Sequence, residues 1–412
     1  MVNIKNNKII LNFSSTDNGG AGEAAIKFHQ NLKKANFKSF LFVARKTKND
    51  KTIFLLKNNL AFKIQGKIVQ LKNFLNITNK DYFFLNSGLN FNINLKKICK
   101  IVKKKNINSI VIHSVPNFLD FRNILYLKNY FKCKVYFRLY DMQNFTGGCS
   151  YSLGCDKFKY DCFNCPGITN NFFNNLPFKN LLKKKFLLKK INPEILSSSY
   201  YEMIRSKESS LFKNCKHHIL YCGVNSNIFK KIFISKKKQN NKTIFLFGSS
   251  DLEVHRKGLF YFLKALEKVK YKQKIKIITI GAKKNYFAKL QIQTKNYKFI
   301  NDQKLLNKVL NEAHFCVIPS IDETGPTMLN MAMMASVPCI TFNIGDAYKH
   351  VKNNKTGFKC KNKDIVNLRK NIHLAIKIDK KKFNLMKINS RKVALKFFAD
   401  KTQVSLMKKI II

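Results

Sequence analysis

The sequence predicts an α/β protein with two doubly wound, parallel-sheet domains in tandem. Apolar runs such as "SIVIH" (109–113) and "TIFLFG" (243–248) are typical of buried strands, and segments of helical periodicity separate such runs in both halves of the chain. Size agrees, because 412 residues that are 45% hydrophobic suffice for two domain cores. We expect the carboxyl ends of the two sheets to face each other across a cleft.

The first half, residues 1–225, is predicted to form an N-terminal Rossmann-like domain. After the first strand and a polar loop, apolar residues that include Ala25, Phe28 and Leu32 recur at the spacing of an amphipathic helix. A cysteine-rich loop, 145–167, interrupts the alternation of strands and helices. The predicted strands are 8–13, 39–43, 109–113 and 134–140.

The second half, residues 226–412, repeats the pattern and is predicted to form a C-terminal Rossmann-like domain. The predicted linker is the Gly- and Asn-containing stretch 221–231. Helices after residue 363 close the chain, and the last of them is a candidate for packing back on the N-terminal domain. The predicted strands are 243–248, 275–281, 314–319 and 338–342, and the helices between them are 258–269, 303–312 and 327–335.

The chain is strongly basic: 78 Lys and Arg against 22 Asp and Glu give a formal net charge of +56. Such a charge indicates an anionic partner, which is nucleic acid, an anionic membrane or a phosphorylated ligand. Lysine is spread over the whole chain, however, together with abundant Asn, Ile and Phe, and this is also the coding bias of an AT-rich genome. Background bias and selected contact with an anionic surface both remain open.

No signal peptide and no apolar stretch of membrane-spanning length is recognisable, so we expect a cytoplasmic protein. In a reducing compartment, clustered cysteines favour a metal or local structure over disulfides. A structural zinc site is therefore expected, although the cysteine spacing is not that of a zinc finger. The four cysteines that fall close together are Cys149, Cys155, Cys162 and Cys165.

Two strand-to-helix loops carry residues suited to phosphate. "SSTDNGGAGEAA" (14–25) offers glycines and the free amides of a helix N-terminus, although an ordinary turn is the alternative. "FGSSDLEVHRKG" (247–258) brings Arg256 and Lys257 to the entrance of the next helix. Two cations beside the positive end of a helix fit a bound diphosphate.

A third loop, within "IPSIDETGPTMLNMAMMASVPCITF" (318–342), carries two carboxylates at the end of a strand. Asp322 or Glu323 can accept hydrogen bonds from sugar hydroxyls, while the amides of 325–327 can hold charged oxygens. The alternative is that one of these carboxylates merely caps the helix that follows.

Taken in order along nearly the whole chain, these motifs resemble those of GT-B glycosyltransferases of the retaining family-4 type, which transfer a sugar from a nucleotide donor. "GGAGEAAIKFHQNL" is similar to their glycine loop and first helix, and "CGVNSNIFK" to their linker. "RKGLFYFLKAL" and "PSIDETGPT" resemble their donor-phosphate and donor-sugar segments. "YDMQNFTGGCSYSLGCDKFKYDCFNCPG" (140–167) is similar to a cysteine-rich stretch in one branch that builds surface polysaccharides.

The resemblance implies roles for residues of the N-terminal domain. Gly20 would let the backbone approach the donor diphosphate and the acceptor. His113 would lie near the transferred sugar, unless it is a buried or strand-capping histidine. Asp141 and Tyr140 would line the acceptor side, although the family has a histidine where this chain has Tyr140.

The resemblance implies donor-binding roles in the C-terminal domain. Lys257, with Arg256 beside it, would neutralise the diphosphate leaving group, and Glu323 would bind hydroxyls of the donor sugar. Further donor-binding candidates are Gly325, Pro326, Thr327 and Asn330.

Two positions of this domain depart from the family pattern. A second glutamate of the family falls on Met331, and its arginine after the "FG" strand end falls on Ser249. Both departures leave the nucleobase and the strength of donor binding open.

The predicted function is therefore that of a hexosyl- or related glycosyltransferase, EC class 2.4. It would move a sugar, with retention of configuration, to a polysaccharide, lipopolysaccharide or lipid-linked glycan. His113, Lys257 and Glu323 are the residues predicted for catalysis, for which we expect no metal ion or other cofactor to be required. The alternatives are a nucleic-acid-binding protein with a structural zinc site and a GT-B nucleotide-sugar epimerase, which would need paired catalytic carboxylates.

A location at the inner face of the cell membrane is a further expectation. Segment 180–191, "NLLKKKFLLKKI", alternates basic and apolar residues. It is either a helix that lies on an anionic leaflet near a lipid-linked acceptor, or a solvated helix packed on the N-terminal domain. No specific nucleic acid is expected as a partner, because the basic residues are not interleaved with aromatic ones.

Overall fold

A computed structural model describes residues 8–56, 59–75, 77–85, 94–103, 106–232 and 242–411. The chain separates into two compact units, one of Met1–Tyr221 with Gln403–Ile412 and the other of Cys222–Thr402. Each unit is built around one parallel sheet. Within these described ranges, no helix is long and apolar enough to cross a lipid bilayer.

The N-terminal unit contains a parallel sheet in the order β3-β2-β1-β4-β5-β6-β7. Its strands are β1 Ile9–Thr16, β2 Lys38–Arg45, β3 Ile53–Leu55, β4 Ile107–Ile112, β5 Lys134–Arg138, β6 Glu194–Ser197 and β7 Lys216–Ile219. Its helices are α1 Gly19–Lys34, α2 Asn59–Phe74, α3 Leu95–Val102, α4 Phe121–Phe131, α5 Leu176–Ile191 and α6 Tyr200–Glu208.

The C-terminal unit contains a second parallel sheet, in the order β10-β9-β8-β11-β12-β13. Its strands are β8 Thr243–Gly248, β9 Ile275–Ile280, β10 Gln293–Tyr297, β11 Phe315–Ile318, β12 Cys339–Phe342 and β13 Gly357–Cys360. The helices of the second half are α7 Leu259–Glu267, α8 Gln303–Glu312, α9 Thr327–Met334, α10 Ala347–His350, α11 Ile365–Lys377, α12 Lys380–Phe397 and α13 Asp400–Ile410.

The central strands bury side chains on both faces of each sheet. In β1, Leu11 and Phe13 belong to the core on one face, whereas Ile10 belongs to the core on the other. Successive side chains of a strand point to opposite faces, so a strand that is covered on both faces is mostly apolar. This requirement accounts for the apolar runs in the sequence, in which Asn12 of β1 is a buried polar exception.

The last helix, α13, contributes to the core of the N-terminal unit. Met407 and Ile411 pack with Ile10 and Phe28 in the cluster on one face of the sheet. The hydroxyl of Tyr136 on β5 donates a hydrogen bond to the carbonyl of Ile410 at 3.1 Å. The chain therefore crosses from the second unit back to the first before it ends.

The strand orders confirm the predicted fold class of two doubly wound α/β domains. In each sheet the order reverses beside the first strand, between β1 and β4 and between β8 and β11. Consecutive strands leave in opposite directions from such a switch point, so the loops at their carboxyl ends separate and leave room for a ligand. The sequence analysis missed the outer strands β3, β6, β7, β10 and β13, whose short or polar segments lack a buried-strand signal.

Candidate active site

Three charged side chains meet at the switch point of the C-terminal sheet. Oε1 of Glu323 accepts hydrogen bonds from Nη1 of Arg256, at 2.5 Å, and from Nζ of Lys257. Glu323 is only 7% exposed. Burial by itself would raise the pKa of Glu323, but the two cations hold it below its usual range. Burial lowers the pKa of Lys257, and the Glu323 carboxylate opposes that shift.

A close contact between two loops positions this cluster. Gly258, with φ of +81°, follows the short 3-10 turn that carries Arg256 and Lys257. A Cβ atom on Gly258 would lie 1.7 Å from the carbonyl oxygen of Pro319, so no other residue fits there. The amide of Ile321 then donates to the carbonyl of Arg256 at 2.8 Å. The loop after β8 is thereby fixed against the loop after β11.

Helix α9 follows the loop that carries Asp322 and Glu323. It begins at Thr327, and its N-cap residue is Pro326, whose side chain makes no capping hydrogen bond. The sequence analysis expects the amides of 325–327 to hold an anion at the positive end of this helix. Thr327 is exposed, Gly325 is half-buried, and Pro326 is buried against Gly345.

Asn330 lies inside the domain and not at its surface. The side chain is fully buried, and its amide nitrogen donates to Oδ2 of Asp346 at 3.0 Å. Met331, the neighbouring departure from the family pattern, is half-buried. The amide of Ser249 donates to the carbonyl of Ile280 at 3.1 Å, which holds the end of β8 in the sheet. Sequence reasoning did not identify Asp346, which precedes a short helix far along the chain.

The glycine loop follows β1 at the switch point of the N-terminal sheet. Gly20 has open space where a Cβ would be, whereas a Cβ on Gly22 would lie 2.8 Å from the carbonyl oxygen of Thr16. Gly22 is therefore the position at which the tight turn requires glycine. Asp17, fully buried, accepts hydrogen bonds from the amides of Thr47 and Lys48 and ties this loop to the end of β2. Helix α1 has no side-chain cap.

His113 lies directly after β4 and has no exposed surface. Its Nε2 is 3.1 Å from Oδ1 of Asn12, and its Nδ1 is 3.2 Å from the hydroxyl of Tyr140. Burial, with the positive charge of Arg138 nearby, lowers the pKa of His113 well below its ordinary value. Both nitrogens of a neutral, fully buried ring are thus engaged within the unit.

Tyr140 and Asp141 follow β5 at the same edge of the sheet and are half-buried. The Tyr140 ring stacks on His113 at 5.7 Å between centroids, and the guanidinium of Arg138 lies 5.1 Å from its centre. Oδ1 of Asp141 accepts a hydrogen bond from the amide of Gln143 at 2.9 Å, which starts the cysteine-rich loop with a turn. Tyr140 and His113 therefore lie together at the carboxyl edge of the N-terminal sheet.

The cysteine-rich loop packs onto two helices of the N-terminal unit. Nζ of Lys184, on α5, donates to the carbonyl oxygens of Gln143 and Thr146 at 2.6 and 2.9 Å. Arg205, on α6, donates to the hydroxyl of Ser152 at 2.7 Å. Burial lowers the pKa of Lys184 to about 8. Two buried cations therefore hold the loop by its backbone and a hydroxyl.

Three cysteines of this loop are buried thiols. Burial raises the pKa of Cys162 to about 11, although the amide of Gly147 donates to its sulfur at 3.3 Å. Burial also raises the pKa of Cys149 and of Cys165. Among the residues that the structure describes, no group of three or more His, Cys, Asp or Glu side chains is placed to hold a metal ion. As placed, the four cysteines do not form a zinc site, and zinc binding stays a prediction.

A family model matches part of the C-terminal unit. Residues 229–393 match the family model described as "Glycosyl transferases group 1". The comparison with curated proteins gave no match.

Solved structures resemble the chain over nearly its whole length. A sucrose-phosphate synthase from Thermosynechococcus elongatus has a TM-score of 0.68 at 14% identity, with 98% of each chain covered. Alr3699/HepE from Anabaena, in complex with UDP and glucose, has a TM-score of 0.65 at 14% identity, again with 98% of each covered. WaaG, a glycosyltransferase involved in lipopolysaccharide biosynthesis, has a TM-score of 0.62 at 10% identity, with 96% of this chain and 99% of the other covered.

At such identities these likenesses establish the fold, and the family match concerns the half of the chain that carries the charged cluster. The chain thus has the two-domain, Rossmann-like GT-B fold, and its group 1 domain at residues 229–393 supports a GT-B glycosyltransferase.

Proposed function

We propose that this protein transfers a hexosyl or related sugar from a nucleotide-sugar donor to a hydroxyl of a polysaccharide, lipopolysaccharide or lipid-linked glycan, with retention of configuration. The observation that carries the proposal is the cluster of Glu323, Arg256 and Lys257 at the switch point of a group 1 domain. A likeness to a structure that holds UDP and glucose supports a UDP-sugar as the donor.

The cluster suits the leaving group of such a reaction. The bond between the sugar C1 and the diphosphate oxygen breaks, and the diphosphate gains negative charge as it leaves. Lys257 and Arg256, with the amides at the start of α9, would stabilise that charge. Once phosphate binds the two cations, the Glu323 carboxylate is released to accept hydrogen bonds from the donor sugar.

The incoming hydroxyl needs no protein base in this scheme. Its oxygen forms the new bond to C1 on the face that the diphosphate leaves, and its proton passes to a phosphate oxygen of the departing diphosphate. Configuration at C1 is then retained, and atoms and charges balance without a metal ion.

The test compares two variants with a matched control. Lys257→Ala and Glu323→Ala are each expected to lower kcat/KM for transfer from UDP-[14C]glucose, or from the best donor in a nucleotide-sugar screen, by about 100-fold or more. Lys283→Ala, which removes an exposed lysine paired with Asp251, should leave transfer unchanged. Full transfer activity in both site variants would overturn the proposal.

The same assay separates the alternatives, which the family match does not favour. An epimerase would convert the labelled donor to a second nucleotide sugar with no labelled glycan. A nucleic-acid-binding protein would retain labelled RNA or DNA on a filter in physiological salt and would leave the donor intact.

We further propose that helix α5 lies against an anionic membrane surface. It carries lysines but no acidic residue, and Phe186 is 65% exposed and Leu182 45% exposed. Exposed apolar side chains flanked by lysines suit the boundary of an anionic leaflet. Sedimentation with phosphatidylglycerol vesicles at low salt is the test, and failure to sediment would remove this proposal.

A structural zinc ion at Cys149, Cys155, Cys162 and Cys165 is retained as a proposal. It would require the four thiols to draw closer than the structure places them. Metal analysis of protein purified without chelators should find about one zinc per chain, and its absence would end the proposal. No step of transfer depends on this ion.

A further inference from the structure

A chain of side-chain hydrogen bonds runs through the N-terminal unit and ends at Tyr140. It passes in order through Asp50, Thr52, His29, Ser39, Asn12, His113 and Tyr140, with neighbouring atoms 2.7 to 3.2 Å apart. Its members come from α1, β1, β2, the loop before β3 and the segments that follow β4 and β5. The chemistry of each group fixes which atom carries each proton.

The direction of the hydrogen bonds follows first from Asp50, at one end of this chain of side chains. A carboxylate only accepts hydrogen bonds, so the Thr52 hydroxyl, at 2.7 Å, must donate to it. The hydroxyl oxygen of Thr52 therefore accepts from Nε2 of His29, at 2.8 Å. Burial lowers the pKa of His29 to about 4, so the ring is neutral and carries one proton. Nδ1 of His29 must then accept from the hydroxyl of Ser39, at 2.7 Å.

The direction follows independently from a backbone carbonyl in the middle of the chain. The carbonyl oxygen of Phe40 only accepts, and Nδ2 of Asn12 lies 3.2 Å from it, which fixes the orientation of the Asn12 amide. The same nitrogen donates to the Ser39 oxygen at 2.9 Å. Ser39 thus accepts from Asn12 and donates to His29, in agreement with the assignment from the Asp50 end.

The last two bonds are now determined. Oδ1 of Asn12 accepts, so Nε2 of His113 carries the ring proton and donates to it. The neutral His113 ring then has a bare Nδ1, which accepts from the hydroxyl of Tyr140. The proton of Tyr140 therefore points into the protein.

We propose that this chain sets the hydrogen-bond polarity of Tyr140, so that its phenol oxygen accepts a hydrogen bond from a hydroxyl of the sugar-accepting glycan. This inference rests on the proposed function. His113 is then a positioning residue that acts through Tyr140, and it does not touch the transferred sugar itself. A ligand group that can only accept hydrogen bonds, such as an ether or a methylated oxygen, is disfavoured at this position.

Packing keeps this chain of hydrogen bonds in one arrangement. Asn12, His29 and His113 have no exposed surface. The His113 ring lies between Tyr140, stacked at 5.7 Å, and Phe28, edge-on at 5.0 Å. A ring held on both sides cannot rotate to exchange its two nitrogens, so the polarity persists when a ligand binds.

The first test reads the protons directly and needs no substrate. In two-bond 1H–15N correlation spectra of 15N-histidine-labelled protein, His29 and His113 are both expected to carry their proton on Nε2. His29→Gln and His113→Gln assign the two sets of signals. A proton on Nδ1 of His113 would reverse the polarity of Tyr140 and overturn the proposal, whether or not the protein transfers sugars.

The second test uses kinetics with octyl glycosides as accepting sugars and UDP-[14C]glucose as donor. Tyr140→Phe should raise KM for the octyl glycoside about fivefold, the cost of one neutral hydrogen bond, with little change in KM for the donor. His113→Leu should have a similar effect, whereas His113→Gln, which offers one donor and one acceptor, should restore KM towards wild type.

A matched control separates this role from plain destabilisation. Ile110→Ala removes a buried apolar contact on β4, three residues from His113, in the core on the other face of the sheet from Ile10 and Asn12. It should lower the melting temperature yet leave KM for the octyl glycoside unchanged. If Ile110→Ala raised that KM as much as Tyr140→Phe does, the effect would be structural and the proposal would fall.

Discussion

At the switch point of the C-terminal sheet, Glu323, Arg256 and Lys257 form a cluster of buried charges, whereas Asn12, His113 and Tyr140 at the switch point of the N-terminal sheet are neutral. Both units have the same doubly wound architecture. The two sites satisfy buried polar groups differently: one pairs ions, and the other aligns hydrogen bonds along a line of side chains. Each arrangement matches the ligand chemistry proposed for it, a diphosphate in one unit and sugar hydroxyls in the other.

The difference teaches what each site can exchange for a ligand. Two cations that share one carboxylate can turn to a phosphate group without becoming unpaired, because charge replaces charge. Asn12, His113 and Tyr140 have no charge to exchange, but they dictate the direction of a new hydrogen bond. The C-terminal site is thus suited to affinity for an anion, and the N-terminal site to selection among hydroxyl positions.

The largest expected effect comes from breaking the charged cluster. Glu323→Ala should lower the free energy of unfolding by about 3–5 kcal/mol, because it removes the carboxylate that the half-buried cations Arg256 and Lys257 share. The chain has no tryptophan, so far-UV circular dichroism in urea is the suitable measurement. Glu253→Ala, at an exposed carboxylate paired with Lys283, should leave the free energy of unfolding unchanged. A loss below about 1 kcal/mol for Glu323→Ala would show that the cluster is not a unit.

The next prediction concerns how the free energy of unfolding depends on pH through His29. His29 has its pKa lowered to about 4 by burial and by Lys33, against the pull of Asp50. A histidine with a lowered folded pKa binds fewer protons folded than unfolded, so its contribution to stability is complete above pH 6.5 and is lost as the pH falls to about 4. Wild type should therefore lose about 3 kcal/mol more than His29→Gln between pH 7 and pH 4.

Urea titrations at both pH values make this measurement, with Ile110→Ala as the control. That variant removes no titratable group, so its difference from wild type should be the same at pH 7 and pH 4. Equal pH dependence of wild type and His29→Gln would mean that His29 is not held neutral, and the contrast between the two sites would be lost.

A smaller effect concerns the base of the cysteine-rich loop. Lys184→Met should lower the free energy of unfolding by about 1–3 kcal/mol, because the carbonyl oxygens of Gln143 and Thr146 lose their buried donor. Lys183→Met, one residue away and exposed, is the matched control and should have no measurable effect. If Lys184→Met and Lys183→Met had the same free energy of unfolding, the stability of the cysteine-rich loop would not depend on Lys184.

The smallest expected effect is on vesicle binding, and its test uses one basic helix from each unit, α5 and α12. Replacing Leu182 and Phe186 of α5 by serine should weaken binding to phosphatidylglycerol vesicles several-fold, since these two exposed apolar side chains together contribute on the order of 1 kcal/mol. Serine at Leu385 and Ile388 of α12, which are also exposed, should leave binding unchanged. Equal losses in co-sedimentation would mean that charge alone, and not α5, attracts the protein to anionic lipid.

Much of the fold was predictable because the central strands carry their own signal. "TIFLFG" has an unbroken apolar run from Ile244 to Phe247, and β8 covers the same segment, Thr243–Gly248. Edge strands lack this signal. The segment "QTKNY" of β10 has exposed and half-buried side chains, of which one is apolar, so periodicity does not reveal the strand. β7, "KHHI", is similarly polar.

The candidate site was predictable where it depends on local loops and not where it depends on distant partners. Arg256, Lys257 and Glu323 lie in loops that follow strands, and parallel topology brings such loops to one edge. The partners of His113 could not be inferred, because Asn12 lies 101 residues away and has no motif of its own. Asn330 looked like a donor contact in the sequence, yet its partner Asp346 holds it inside the domain.

The contact between Gly258 and Pro319 bears on how donor preference can be altered in the laboratory. Any side chain at position 258 would strike the backbone of the neighbouring loop, and this loop carries Glu323. A randomised library should keep glycine at that codon and vary Thr327, Met328 and Met331, which are not fully buried. Clones selected for use of a new sugar are then expected to differ at these three positions, while the contact between the loops after β8 and β11 stays intact.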